Sequence, residues 1–255
     1  MSELVHLTVE RAIATVTLDS PANRNALSAQ LVGELADHLS AVAVDETVRA
    51  VVLTHAGTVF CAGADLKEQT REGGPQEGTR RMLALMRQIV ALPKPVVARV
   101  DGAVRAGGVG VVGACDIAVA GPATSFSFTE VRLGLAPAMI SLTTLGRLSE
   151  RSASRYYLTG EVFGAAEAER AGLVTVAAAD LDAELAGILD ALRLCSPQGL
   201  AETKPLTTRG ALARFDSESE QLQALSARLF ASEEAREGML SFLEKRPARW
   251  VADAT

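Results

Sequence analysis

Two glycine-bearing segments carry the residue types from which chemistry can be built. Phe60 to Glu68 reads FCAGADLKE, and Lys94 to Asp116 reads KPVVARVDGAVRAGGVGVVGACD. The glycines of each follow an apolar run with the composition of a buried strand, Val51-Val52-Leu53 ahead of the first segment and Val96 to Val100 within the second. Small side chains at Gly63 and Ala64 let backbone N–H groups approach a ligand closely. Gly107 and Gly108 precede an apolar stretch that reads as the start of a buried helix, whose first N–H groups have no intrahelical acceptor and carry partial positive charge. The chemistry this implies is an oxyanion hole, in which backbone donors stabilise a developing oxygen anion without a charged side chain.

The elements that must position these segments follow from hydrophobic period. Leu4 to Glu10 and Ala12 to Leu18 alternate apolar and polar residues about a short turn, which predicts a half-buried hairpin. Ser28 is a helix N-cap ahead of Leu31, Leu35, Leu39 and Val42 at helical spacing, with the helix ending near Asp45. A strand follows over Ala50 to Thr54. Glu68 to Thr79, with Gly73-Gly74-Pro75, reads as a flexible loop. Met82, Leu85, Met86, Ile89 and Val90 make a second amphipathic helix, stopped at Pro93 before a strand over Pro95 to Val100. Short strands are expected at Ile117 to Ala120 and Phe126 to Phe128, helices from about Ile140, and a last strand at Leu173 to Val176. This alternation predicts an α/β core with a helical final third.

Composition narrows the function classes. The chain has 255 residues, of which 48% are hydrophobic and 4% aromatic, with a formal net charge of −6. That charge, with no cluster of basic and aromatic residues, argues against nucleic-acid binding. No apolar run approaches the roughly 20 residues of a membrane span, and MSELVHLTVER has no signal-peptide core, so no membrane partner and a cytoplasmic location are expected. Cys61, Cys115 and Cys195 suit reduced thiols in that compartment. His6, His38 and His55 have neither the spacing of a metal site nor a motif relation to a cysteine, so neither a bound metal nor a cysteine nucleophile is expected.

The two glycine segments, their order and flanks, with SPANRNALS at Ser20 to Ser28, SFTEVRLGLAP at Ser127 to Pro137, LTGEVFGAAEAERAGLV at Leu158 to Val174 and FLEKRPARW near the C-terminus, resemble the crotonase superfamily, the enoyl-CoA hydratase/isomerase family. The resemblance implies an α/β crotonase-like spiral of repeated ββα units. On this reading residues 1–195 form the acyl-CoA-binding core and residues 196–255 a helical region for oligomerisation and pocket cover, in a homotrimer or a dimer of trimers. The apolar positions Leu222, Leu225, Leu229, Met239 and Phe242 serve either a subunit interface or an internal core.

Matched residue by residue, the family's oxyanion donors fall on the N–H groups of Ala64 and Gly107, and one family glutamate falls on Glu130. The first glutamate of two-carboxylate hydratases falls on Gly110. The resemblance places coenzyme A contacts around Arg24 and Ala26, along Ala62, Asp65, Leu66 and Lys67, and at Gly108, with Lys245 or Arg246 near a phosphate at a subunit boundary. No separate cofactor is implied, since coenzyme A is part of the substrate. Dienoyl-CoA isomerases of this family carry a further aspartate where this chain has Ala138, which points away from that branch. The Ala136 to Ser141 segment resembles hydratases of branched or carboxylated enoyl-CoAs, and Arg105 is a candidate partner for a substrate carboxylate or an ordinary exposed arginine. Three readings stand at this stage: a hydro-lyase acting on a 2-enoyl-CoA, a 3-enoyl to 2-enoyl isomerase, and a non-catalytic acyl-CoA binder.

Overall fold

The computed structural model describes residues 2–69 and 74–252, the side chains of Leu66, Gln69, Gly74 and Ala252 excepted. Strands β1 (Val5–Glu10) and β2 (Ile13–Leu18) form the predicted antiparallel hairpin, with Arg11 and Ala12 both at positive φ in its two-residue turn. That left-handed pair matches the twist of the flanking strands, although neither residue is the usual Asn or Gly. Helix α1 (Ala29–Val44) starts where Ser28 Oγ accepts the Leu31 N–H, and it buries Leu31, Leu35, Leu39 and Val42 as their spacing predicts.

The chain then alternates between two sheets. β3 (Ala50–His55) joins the first and β4 (Val59–Cys61) the second, before α2 (Leu66–Gln69) and α3 (Gly74–Ala91). The next turn is β5 (Val96–Val100), β6 (Ala103–Arg105) and α4 (Gly107–Ala114), and the third is β7 (Ile117–Ala120), β8 (Ser125–Ser127) and α5 (Ala138–Thr144). α6 (Glu150–Thr159), β9 (Phe163–Gly164), α7 (Ala165–Ala171), β10 (Val176–Ala177) and α8 (Leu181–Arg193) complete the core. The final region holds α9 (Pro197–Phe230), α10 (Glu233–Glu244) and α11 (Arg249–Ala252). The larger sheet has the order β1-β2-β3-β5-β7-β10 and the smaller β4-β6-β8-β9, so three successive turns follow the expected ββα spiral.

Several boundaries differ from the sequence reading. The expected loop over Glu68 to Thr79 is largely helical, with α2 reaching Gln69 and α3 starting at Gly74, while residues 70–73 lie outside the described residues. A proline and a glycine are tolerated there because Pro75 sits in the first helical turn, where its missing N–H would have no partner. The last strand is Val176–Ala177 rather than Leu173 to Val176, because the N–H groups of Leu173 and Val174 turn back to Ala168 O at the end of α7 and pairing with β7 begins only at Thr175. The third strand of the small sheet is Ser125–Ser127, one residue ahead of the expected Phe126 to Phe128. In the final region Leu222 and Leu225 pack on the core, whereas Phe242 is 51% exposed.

One buried ion pair ties the final region to the spiral. Lys204 Nζ on α9 lies 2.8 Å from Asp116 Oδ2 and donates to the carbonyl oxygens of Ile89 and Lys94, both at 2.9 Å. Asp116 Oδ2 also accepts the Val96 N–H at 2.7 Å. Burial pulls the Lys204 pKa down, opposed by the Asp116 charge. Truncating one partner leaves the other charge without compensation, so Lys204→Met should cost about 3–5 kcal/mol. Adding Asp116→Asn should recover much of this, because the amide oxygen still accepts from Val96. Urea unfolding midpoints of the two variants check this.

Candidate active site

Three neighbouring parallel strands of the small sheet end at the same edge, and each delivers one of the predicted groups. β4 pairs with β6, and β6 with β8, all parallel. β4 runs into Gly63-Ala64, β6 into Ala106-Gly107, and β8 into a 3₁₀ turn (Thr129–Leu133) that carries Glu130. The Ala106 N–H donates to Ser127 O at 3.1 Å, which joins the second and third exits directly. A ligand beyond the carboxyl ends of parallel strands meets backbone that has just left its ladder and has donors to spare.

The first two exits touch. A Cβ added to Gly63, at φ +91°, would lie 2.9 Å from Ala106 Cβ and 3.5 Å from the Gly107 N. Only glycine fits there, on conformation and on space. The Gly107 N–H heads α4 and therefore has no intrahelical acceptor. Ala106 is held at φ 46°, ψ −119°, an unfavourable conformation for an alanine, anchored by its bonds to Ser127 and Val109. The Leu27 N–H donates to Gly63 O at 2.8 Å, and Ala64 pairs with Leu27 in an isolated parallel bridge.

Glu130 differs from an ordinary surface glutamate. The residue keeps some surface, but its Oε2 is sealed from solvent and has no hydrogen-bond partner. Burial raises its pKa to about 7, opposed only by a backbone hydrogen bond. Its turn is fixed from several sides. Gly134, at φ +70°, caps the turn and packs on the backbone of Glu234 and Ala235, while Gly238 of α10 packs on the backbone of Leu133. Phe128, just ahead of the turn, meets the Tyr157 ring at 4.5 Å between centroids. Tyr157 bonds Thr144 Oγ1 at 2.5 Å, and burial raises its phenol pKa, with the Glu130 charge adding to the shift.

The expected coenzyme A contacts come together in two adjacent segments. The Ala62 N–H donates to Arg24 O at 3.1 Å, and Asn23 Nδ2 to Asp65 Oδ2 at 2.8 Å. Asp65 Oδ1 also accepts the Lys67 N–H at 2.9 Å, which starts α2 at Leu66. Arg24 and Lys67 are exposed and Ala26 is buried. Sequence reasoning passed over the residue that organises this corner, Asn25. It is fully buried at positive φ, accepts the Ser20 N–H, and donates to the carbonyls of Ala56 and Val59. The available signal is the Ser20 to Asn25 run SPANRN, a turn-rich stretch in which asparagine is the residue best able to take a left-handed conformation and bond the backbone with its side chain.

Two candidates are engaged elsewhere. The Arg105 guanidinium, half-buried, donates to the carbonyls of Val104 and Ser125 and to Ser125 Oγ, so it is not an exposed cation awaiting a carboxylate. Arg246 holds Glu237 through two nitrogens at 2.7 and 3.0 Å and Glu244 at 2.6 Å, a cluster that closes the FLEKRP turn. A cavity of about 440 Å³ between α3 and α9 is lined by Gln76, Glu77, Thr79, Arg80 and Gln223, and none of the site residues lines it.

At Gly110, one turn into α4, the space is taken. A Cβ there would lie 2.4 Å from Ile140 Cγ2, 2.8 Å from Ile140 Cβ and 2.9 Å from Met86 Sδ. Ile140 is branched at the contact and cannot swing clear, so no carboxylate side chain could be seated at Gly110 without rebuilding α5. Gly110→Ala should destabilise the fold by about 1–3 kcal/mol, the usual cost of overpacking, and should cost clearly less when introduced into an Ile140→Ala background, because the clashing atoms are then gone. Thermal unfolding of the single and double variants checks this.

Comparisons with known proteins place the fold and the sequence as a whole. Residues 8–253 match the family model described as enoyl-CoA hydratase/isomerase. The 2,3-dehydroadipyl-CoA hydratase of Escherichia coli K12 is 32% identical over 249 residues, covering 96% of this chain and 97% of that protein. The crystal structure of an enoyl-CoA hydratase from Mycobacterium avium is 54% identical, with a TM-score of 0.92 over 98% of this chain and 100% of that one. A second enoyl-CoA hydratase structure, from Mycobacterium avium subsp. paratuberculosis K-10, superposes with a TM-score of 0.85 at 27% identity, covering 96% of this chain and 98% of that one. With the fold and a sequence match along nearly its whole length in agreement, the chain belongs to the enoyl-CoA hydratase/isomerase family of the crotonase superfamily.

Proposed function

We propose that the protein is a hydro-lyase of 2-enoyl-CoA thioesters, with the Ala64 and Gly107 amides as oxyanion donors and Glu130 as the acid/base. One observation carries the reading: a carboxyl group with one oxygen sealed from solvent and unpartnered shares one sheet edge with two glycine-bearing backbone segments. Attack of water at C3 of the enoyl group moves negative charge onto the thioester oxygen. Donors fixed in advance favour that charge, and losing one from such a hole costs about 3–4 kcal/mol of barrier. The Glu130 carboxylate takes a proton from the attacking water as its oxygen bonds to C3, and the resulting acid returns a proton to C2 as the enolate collapses. H and OH are thereby added and the carboxylate is regenerated. A pKa raised to about 7 suits both halves of that exchange.

The coenzyme A portion lies along Arg24, Ala26 and Ala62 to Lys67, with Gly108 beneath. With Arg105 committed to backbone oxygens, an apolar, branched acyl group fits this reading better than a carboxylated one. The exposed Leu240, Phe242 and Leu243 of α10 offer apolar surface for a trimer or paired trimers in the cytoplasm. Among the described residues no helix is long and apolar enough to cross a membrane.

A second reading, 3-enoyl to 2-enoyl isomerisation, has its own support. Ile140 and Met86 fill the space at Gly110, so Glu130 has no companion carboxylate from that position to hold a water. One carboxylate is enough to move a proton between two carbons. Product mass after incubation with straight and branched 2-enoyl-CoAs and with a 3-enoyl-CoA separates the readings. Hydration adds one water, isomerisation changes no mass, and binding without product leaves neither.

Glu130→Gln should lower kcat by at least about 100-fold, the usual scale of acid/base catalysis. In the unmutated protein kcat/KM should rise with pH and level off above about 7, since the carboxylate is the active base. The same group makes the fold pH-sensitive. Its folded pKa of about 7 exceeds the reference 4.5, so the native state binds more protons than the unfolded state in that window and stability falls as pH rises through it. Glu130→Gln should therefore be more stable than the parent at pH 8, by about 2–3 kcal/mol, and nearly equal to it at pH 4. Chemical denaturation at the two pH values reads the difference.

A further inference from the structure

We infer that Cys61 is a positioning residue for the oxyanion site, a thiol wedged beneath both donor segments that fixes their separation. The inference rests on the proposed assignment of Ala64 and Gly107 as donors. Cys61 is the last residue of β4 and is fully buried. Its Sγ accepts the N–H of Gly63 at 3.4 Å, one residue before Ala64. A Cβ on Gly108 would lie 2.7 Å from Cys61 Cβ and 3.0 Å from both its O and its Sγ. The second residue of α4 therefore rests on the cysteine with no room for a methyl group. One side chain thus touches the residue preceding the first donor and the residue following the second.

Gly63 is buried and at φ +91°, so its N–H points away from any regular ladder and needs an acceptor. Sulfur is large enough to reach it while filling the gap against Gly108. Burial pushes the Cys61 thiol up to about 12, which keeps it neutral; a thiolate there would repel the oxyanion that the two amides are placed to hold. The other buried cysteine is a built-in control. Cys115 caps the far end of α4 and donates its thiol to Val111 O at 3.3 Å.

The test compares Cys61→Ala, Cys61→Ser and Cys115→Ala, measuring turnover of enoyl-CoA thioesters together with amide hydrogen exchange over residues 60–66 and 105–110. Cys61→Ala should lower kcat about ten- to a hundredfold through misplacement of the donors, with KM within about twofold, and should speed exchange in both segments. Cys61→Ser, which keeps an acceptor, should regain part of kcat, and Cys115→Ala should keep kcat even where it lowers stability. Unchanged kcat with unchanged exchange in Cys61→Ala overturns the inference, as does an equal loss in Cys115→Ala. If Cys61→Ala does not fold, full kcat in Cys61→Val, which fills the volume without an acceptor, likewise overturns it. Should the unmutated protein turn over no enoyl-CoA, the proposed function fails, and the exchange measurements still decide whether Cys61 holds the two segments.

Discussion

A carboxyl group shut away from water with one oxygen unpartnered is costly to keep, and much of this molecule can be understood as what keeps Glu130 in that state. A glutamate on a free surface turn would rotate into solvent and return to its ordinary pKa. Here the turn has little freedom. It leaves β8 immediately after a ladder pairing with β6, is capped by Gly134 in a left-handed conformation, and is pressed by α10 through backbone contact at Gly238. The helical final region therefore reaches the Glu130 turn through packing. α9 is in turn pinned to the spiral by Lys204 and Asp116.

The same economy appears in the proposed donors. On that reading neither Ala64 nor Gly107 would contribute a functional side chain; each would contribute an N–H whose direction is set by the strand behind it. The strain stored at Ala106, and the close approach of Gly63 to Ala106 and Gly107, are the local costs of bringing two strand exits together. They are sustained because the surrounding backbone is anchored by Leu27, Ser127 and Cys61. Stability is spent at this edge and recovered in the large sheet, where Val51, Leu53, Val96 and Val100 are fully buried.

How much of this was legible in the sequence depended on length scale. The hairpin, α1 and strands β3 and β5 of the large sheet each span enough residues for a hydrophobic pattern to declare itself, and α4 announced itself through its glycines. The small sheet was mostly hidden: Val59–Cys61, Ala103–Arg105 and Phe163–Gly164 are too short for any period, yet the first two lead into the segments proposed as donors. The start of α3 was masked by Gly73-Gly74-Pro75, a cluster that reads locally as a turn. Among the candidate site residues, glycine placement pointed to the two segments, whereas the assignment of Ala64 and Gly107 within them, and of Glu130, came only through resemblance to a family. The burial of Glu130 is a tertiary property supplied by residues far along the chain. Ile140 against Gly110, and Cys61 against Gly108, were illegible for the same reason, since both are contacts between elements that no local pattern links.

The central claim, that Glu130 is a desolvated carboxyl group poised near neutrality, is tested most directly by infrared difference spectroscopy. The protonated-carboxyl band of the intact protein would be followed against pH, with Glu130→Gln as the blank. The account predicts one band, lost in the variant, that disappears with a midpoint near pH 7. A Glu130 band titrating near the ordinary glutamate value of 4.5 would contradict it.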